Sequence, residues 1–272
     1  MRNVESILEY AEAVEQCKAE LPCGEKALFR GQGDEGFKLE TTLERSGIKS
    51  ISFRKYYEWL DYHIPEINAI AHRFERQMTV DNPRLPFEFG SASLIDEWHH
   101  VPNPELLAYL RHHGFPSPLL DVTRSEYVAL YFACRDENAN TNGKVFVFDG
   151  NFDLGNAYAD GKSCIDLLGP YFETDPRHLR QQSTYLTSVR YSKEWFFEEF
   201  GRSLDAMEVK HMHEIVIQGG KKRELLDQLS RMNITAYTLF SDEDGLIKEV
   251  GRKFVHENAA SKRRTLPPVF SS

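Results

Sequence analysis

The stretch Arg111-His112-His113-Gly114-Phe115-Pro116-Ser117-Pro118-Leu119-Leu120-Asp121-Val122-Thr123-Arg124-Ser125 runs straight into the apolar segment Tyr127-Val128-Ala129-Leu130-Tyr131-Phe132-Ala133. No other segment so narrows what the chain can become. Gly114, Pro116 and Pro118 prescribe a turn, because glycine supplies unusual backbone angles and proline fixes φ. Leu119-Leu120-Asp121 then reads as a buried strand end. Thr123, followed three residues later by Glu126, fits a capping box that opens an apolar helix. Purely structural segments seldom crowd so many hydrogen-bonding groups between two apolar runs, so chemistry is expected here.

The rest of the chain alternates between helical and strand patterns. Val4, Ile7, Leu8, Ala11 and Val14 recur at helical spacing, and that helix ends near Pro22 and Gly24. Ala27-Leu28-Phe29-Arg30-Gly31 predicts a short strand that meets a Gly-rich turn. Phe53 to Met78 predicts two consecutive helices interrupted by Pro65, and Pro104 to His112 a further one. Strands are expected at Lys144–Phe148, His213–Ile217 and Thr235–Phe240. Helices are expected at Lys222–Met232 and Gly245–His256. The class is α+β: a single domain over 1–272, with its core in 25–50 and 110–256, a helical insert at about 51–109 and a short basic tail at 257–272.

At 272 residues the chain can bury a substantial core. A formal charge of −9 argues against a generally basic, nucleic-acid-coating surface, while leaving room for a local basic groove. Arg124, Arg180, Arg190, Lys193 and the tail Lys262-Arg263-Arg264 are the candidates for one. Cys17, Cys23, Cys134 and Cys164 form no CxxC pair and read as reduced thiols of a cytoplasmic protein. The amino terminus carries no long apolar run of the signal-peptide kind, and no segment approaches about eighteen uninterrupted apolar residues, so no membrane span is expected.

Individual residues admit both a functional and a plain structural reading. Arg30, where a strand gives way to Gly31 and Gly33, can grip a phosphate or carboxylate bidentately; a paired surface arginine fits the same spacing. His112 and His113 can hydrogen-bond a substrate ring or ribose hydroxyl, or simply close a helix whose C-terminal end favours positive charge. Zinc is not expected: the chain has neither HExxH nor a paired-cysteine framework. Asp121, Thr123 and Ser125 stand at a helix entrance, where free N–H groups suit a phosphate or carboxamide. Glu214 opens a strand and can stabilise a cationic sugar, as carboxylates do in glycosyl transfer, or can face solvent.

Together these segments resemble the FRG-domain family. Leu28-Phe29-Arg30-Gly31-Gln32 matches its signature, and Leu39 to Arg45 is similar to the element that follows, with Thr41 where proline is usual. Arg111 to Phe132 resembles the family's central block, with Arg111 in place of glutamine, Ser117-Pro118 in place of Thr-Arg and Val122 in place of tryptophan. Arg177 to Tyr185 and Asn233 to Leu246 resemble two later elements, with Ser183 in a glycine position. The order of motifs also resembles the ADP-ribosyltransferase plan. That resemblance implies a mixed or antiparallel sheet core of the ADP-ribosyltransferase kind, with NAD as co-substrate. Arg30 would hold the dinucleotide, with Gly31, Gln32, His113 and Asp121 beside it, and Thr123 and Ser125 would line the nicotinamide side. Glu214 would be the catalytic carboxylate, with Gln181 its rival for the third position. The implied function is an intracellular toxin or anti-phage effector modifying RNA, DNA or protein, with an antitoxin as a further expected partner. A non-catalytic sensor of a nucleotide or phage protein is the alternative, as is NAD hydrolysis.

Overall fold

A computed structural model describes residues 2–71, 101–138, 140–150, 163–169, 176–206 and 212–240, together with positions 247, 250, 251 and 254. The tail, most of the Gly245–His256 segment and 72–100 of the expected insert lie outside the described residues. A short strand β1 (Arg2–Val4) leads into α1 (Ile7–Glu20), capped by the Ser6 hydroxyl, which accepts from the Glu9 N–H. Then follow β2 (Leu28–Gln32), α2 (Thr42–Arg45), β3 (Ile51–Ser52), α3 (Phe53–Ala71) and α4 (Pro104–His112). The central block gives β4 (Leu119–Thr123) and α5 (Glu126–Cys134), and β5 (Gly143–Phe148) follows. The remainder is β6 (Ser163–Leu168), α6 (Pro176–Arg180), β7 (Ser183–Ser192), β8 (Glu194–Phe197), α7 (Phe200–Ala206), β9 (Met212–Ile217), α8 (Lys222–Arg231) and α9 (Ala236–Phe240). The α+β class holds.

The strands form one sheet in the order β1-β9-β5-β2-β4-β7-β8-β3, with β6 on the other edge of β7. Among the described strands only β1 and β9 pair in parallel. The informative join is β2 with β4. β2 pairs with β5 over five residues and β4 with β7 over five, yet β2 and β4 are in register at Phe29–Thr123 alone. Beyond that pair the strands part, and the sheet opens into two halves. α1, α5 and α8 cover one half through Val14, Ala129 and Leu225. α3 and α4 cover the other through Tyr57, Leu60 and Leu107. The opposite face buries Leu28, Leu120, Phe146 and Leu186 against Phe200 of α7.

Three local expectations are corrected. α3 runs through Pro65 as one helix; the residue is exposed, so the missing N–H and the ring are accommodated on the solvent side. Thr123 does not cap α5. It ends β4, its hydroxyl donating to the Gln181 carbonyl at 2.7 Å and accepting from the Ser125 N–H at 3.0 Å. The cap is Ser125, whose hydroxyl accepts from the Val128 N–H. A capping box does form at Thr41 and Glu44, the same signature one motif earlier. Thr235–Phe240 is not a strand: the Thr235 hydroxyl accepts from the Thr238 N–H and starts the short helix α9.

Asp166 is an acid buried in the β6–β7 layer, and burial pushes its carboxyl up to about 7. The unfolded chain releases this proton near 3.8. Between those values the folded state binds more protons than the unfolded, so this contribution to stability declines as pH rises and is lost above the upper value. Melting of the wild type compared with Asp166→Asn should therefore show the wild type losing ground between about pH 4 and pH 7. Parallel pH profiles for the two proteins would contradict the assignment.

Candidate functional site

The seam between β2 and β4 opens into a cleft of about 800 Å³, a size typical of small-molecule sites. Its composition is opposite to that of the chain as a whole. Arg30, Lys38, Arg45, Arg111, Arg135 and Arg177 line it, against Glu40, Asp121 and Asp136. Six cations against three carboxylates make a basic pocket in a protein of net charge −9.

Arg30 sits where the strands separate. Its guanidinium donates to the backbone carbonyl of Asp121, a group that would otherwise seek a partner across the parted ladder. Arg30 keeps part of its surface open to the cleft, yet the surrounding protein desolvates it. That lowers its pKa to about 10, with Asp121 opposing the shift and Arg111 and Arg45 adding to it. It remains charged at neutral pH. Arg111 reaches back from the end of α4 to the Asp121 carboxylate at 2.6 Å. The Nε atoms of Arg30 and Arg111 are buried without a hydrogen-bond partner. Two crowded guanidiniums with unfilled donors leave acceptors wanted at this spot, which an anionic ligand can supply.

Gly31 owes its identity to α5. A Cβ there would lie 1.8 Å from the Ala129 carbonyl oxygen, so helix and strand cross at backbone distance. This is a second reason for glycine beside Arg30, besides the close ligand approach expected from the sequence. Gly33 faces Asp136, and Lys222 of α8 holds that corner. Lys222 is fully buried, donating to the Gly33 carbonyl at 2.6 Å and to the Asp136 carboxylate at 2.7 Å.

Of the residues expected from the sequence, Arg30, Gly31, Gln32, Asp121, Thr123 and Gln181 all line the cleft. Gln181 is buried, its amide donating to the Leu239 carbonyl at 3.2 Å. Ser125 serves α5 as its cap and does not line the cleft. His113 is exposed and packs on Tyr109, whereas His112 lines the cleft and meets the Tyr185 hydroxyl at 3.0 Å. Glu214 is on β9, in register with Phe146 of β5, which is in register with Arg30. It thus shares Arg30's face of the sheet, two strands along, outside the cleft lining and paired with Lys144 at 3.2 Å. Sequence reasoning missed Lys38, Arg45, Arg135 and Arg177. Arg111 did give a signal, since it departs from the family glutamine. Among the described residues no cluster is arranged to hold a metal ion, and no helix is long and apolar enough to cross a membrane.

Asp121→Ala should move stability and anion affinity in opposite directions. It strands the largely buried Arg111 guanidinium, at a cost of about 1–2 kcal/mol, modest because Asp121 is partly exposed. It also removes a negative charge from a cleft lined mostly by cations. A lower melting temperature with tighter binding of pyrophosphate is expected; weaker binding would show that Asp121 itself holds the ligand.

The family model of the FRG domain matches residues 25–142, the segment that holds β2 to α5 and the turn that follows. Arg30, Gly31, Gln32, Arg111, Asp121 and Thr123 fall inside the match; Arg177, Gln181 and Glu214 fall beyond it. No curated protein and no solved structure matches the chain.

Proposed function

We propose that the seam cleft binds NAD and that the chain is an ADP-ribosyltransferase, modifying nucleic acid or protein in the manner of a toxin or anti-phage effector. The observation that carries this reading is the cluster of six cations around a cleft large enough for a dinucleotide, with Arg30 at the point where the sheet opens. A pyrophosphate offers the acceptors that Arg30 and Arg111 lack. The ADP-ribosyltransferase-like sheet is part of the same proposal: a split antiparallel sheet with an arginine at the split fits that plan.

Transfer cleaves the bond between nicotinamide and ribose; nicotinamide leaves with the bonding electrons and the acceptor's nucleophile takes its place on the sugar carbon. Positive charge gathers on the ribose in between, and a carboxylate facing it lowers the barrier. Asp121 is engaged by Arg111 and Asp136 by Lys222, whereas Glu40 lines the cleft with no ion pair among the described residues. Glu40 is accordingly the favoured carboxylate, and Gln181 the favoured ribose contact. The position of Glu214, outside the cleft lining, also keeps a second reading in play: a nucleotide-binding sensor that turns nothing over.

The test is incubation of the purified chain with adenylate-labelled NAD and RNA, DNA or cell lysate. Label should pass to one polymer class, and Glu40→Gln should slow transfer roughly a hundredfold while NAD binding stays nearly constant. Glu214→Gln should leave both unchanged. NAD binding without nicotinamide release would select the sensor, and a hundredfold loss on Glu214→Gln would return the carboxylate role to β9.

A further inference from the structure

The cleft has a second wall of different chemistry. Phe132 of α5 and Phe240 of α9 meet edge to face, with ring centroids 6.0 Å apart at 86°. The Arg135 guanidinium lies 5.6 Å from the Phe132 ring centroid, and that of Arg177 lies 5.2 Å from the Phe240 ring centroid. All four line the cleft, whereas Arg30 and Arg111 lie at the parted strands. Gln181 stands beside this wall, fixed by Thr123 through its backbone carbonyl and by Leu239 through its side chain.

Guanidinium planes and aromatic rings at such distances form surfaces on which flat heterocycles stack, and nucleobases stack on them with little regard to base identity. Fully dry cores do not place two arginines over two phenylalanines at the lip of an open cavity; here both rings are only partly buried. A ligand with phosphates at one end and an aromatic base at the other matches both walls at once.

From this we infer that Phe132, Phe240, Arg135 and Arg177 form a nucleobase subsite, so that a bound nucleotide lies with its base against α5 and α9 and its phosphates at Arg30 and Arg111. The inference rests on the nucleotide reading of the cleft and adds the direction in which the ligand lies. The base subsite is separate from the phosphate subsite, so either can be removed without the other.

Calorimetric titration of the full chain with ADP and with inorganic pyrophosphate tests it. The wild type should bind ADP roughly tenfold or more tightly than pyrophosphate, the difference being the stacked base. Phe240→Leu keeps the apolar packing but removes the aromatic face. It should bring ADP down to the pyrophosphate affinity without changing the latter, and Phe240→Trp should keep the preference. Equal affinities in the wild type, or an undiminished ADP preference in Phe240→Leu, would overturn the subsite while leaving the phosphate site standing. Failure of both ligands to bind the wild type would instead overturn the nucleotide reading and the subsite with it. The wild-type comparison needs no variant, so a misfolded mutant does not blunt the test.

Discussion

Gly31→Ala is expected to cost the chain more stability than any other single methyl group added to the family signature. The new Cβ would sit 1.8 Å from the Ala129 carbonyl oxygen and 2.8 Å from the Ala133 nitrogen, and both belong to backbone. No side chain can swing aside. Either β2 or α5 must shift, and both are packed in the main core, with Phe29, Ala129, Leu130 and Ala133 buried. Overpacking a core typically costs about 1–3 kcal/mol, and a clash between two backbones belongs at or beyond the upper end. Thermal unfolding should show a drop of many degrees or no cooperative transition. By contrast Gly201→Ala, where an added Cβ meets nothing within 4 Å, should be nearly silent. A Gly31→Ala protein melting with the wild type would show that α5 does not cross β2 at this distance.

Arg30→Ala should weaken NAD and pyrophosphate binding at least tenfold while the protein stays folded. The guanidinium spans the gap between two parted strands, holds the Asp121 carbonyl and keeps a buried Nε for an acceptor. Removing one charge-assisted hydrogen bond costs about 1.5–3 kcal/mol, so a bidentate grip on phosphate is worth a tenfold to hundredfold or larger change in affinity. Stability should change less than a buried ion pair would suggest. Arg30 is desolvated and crowded by Arg111 and Arg45, so its removal relieves repulsion as well as breaking a hydrogen bond. Calorimetry on the variant with unchanged NAD affinity would remove Arg30 from the site.

Much of this was legible in the sequence because it rests on local pattern. β2, β5 and β9 carry alternation or apolar runs, α8 and α4 carry helical spacing, and all five fall within a residue or two of the expected bounds. β7, the longest of the described strands, was not legible. Its Ser183, Thr184, Thr187 and Ser188 are buried, so the period-two signal is masked by hydroxyls that find partners inside, as Thr184 does at Leu168 and Thr187 at Pro118. α9 read as a strand because one helical turn is too short to show a helical period.

The site divides along the same line. Arg30, Asp121 and Thr123 were legible as residues of one cleft because motif and turn chemistry are local. Arg45, Arg135 and Arg177 come from α2, the end of α5 and α6, and they converge only once the sheet has split at Phe29–Thr123. Glu214 shows the converse. A strand position suggested a catalytic acid; β5 and β2 stand between β9 and β4, and Glu214 pairs with Lys144 outside the cleft lining.

Backbone hydrogen exchange of the wild-type chain, with and without saturating NAD, tests the seam cleft most directly. Protection is expected at residues 29–33, 121–125 and 181–183, the segments that border the parted strands. Exchange unaltered at these segments, or protection confined to β9 around Glu214, would contradict it.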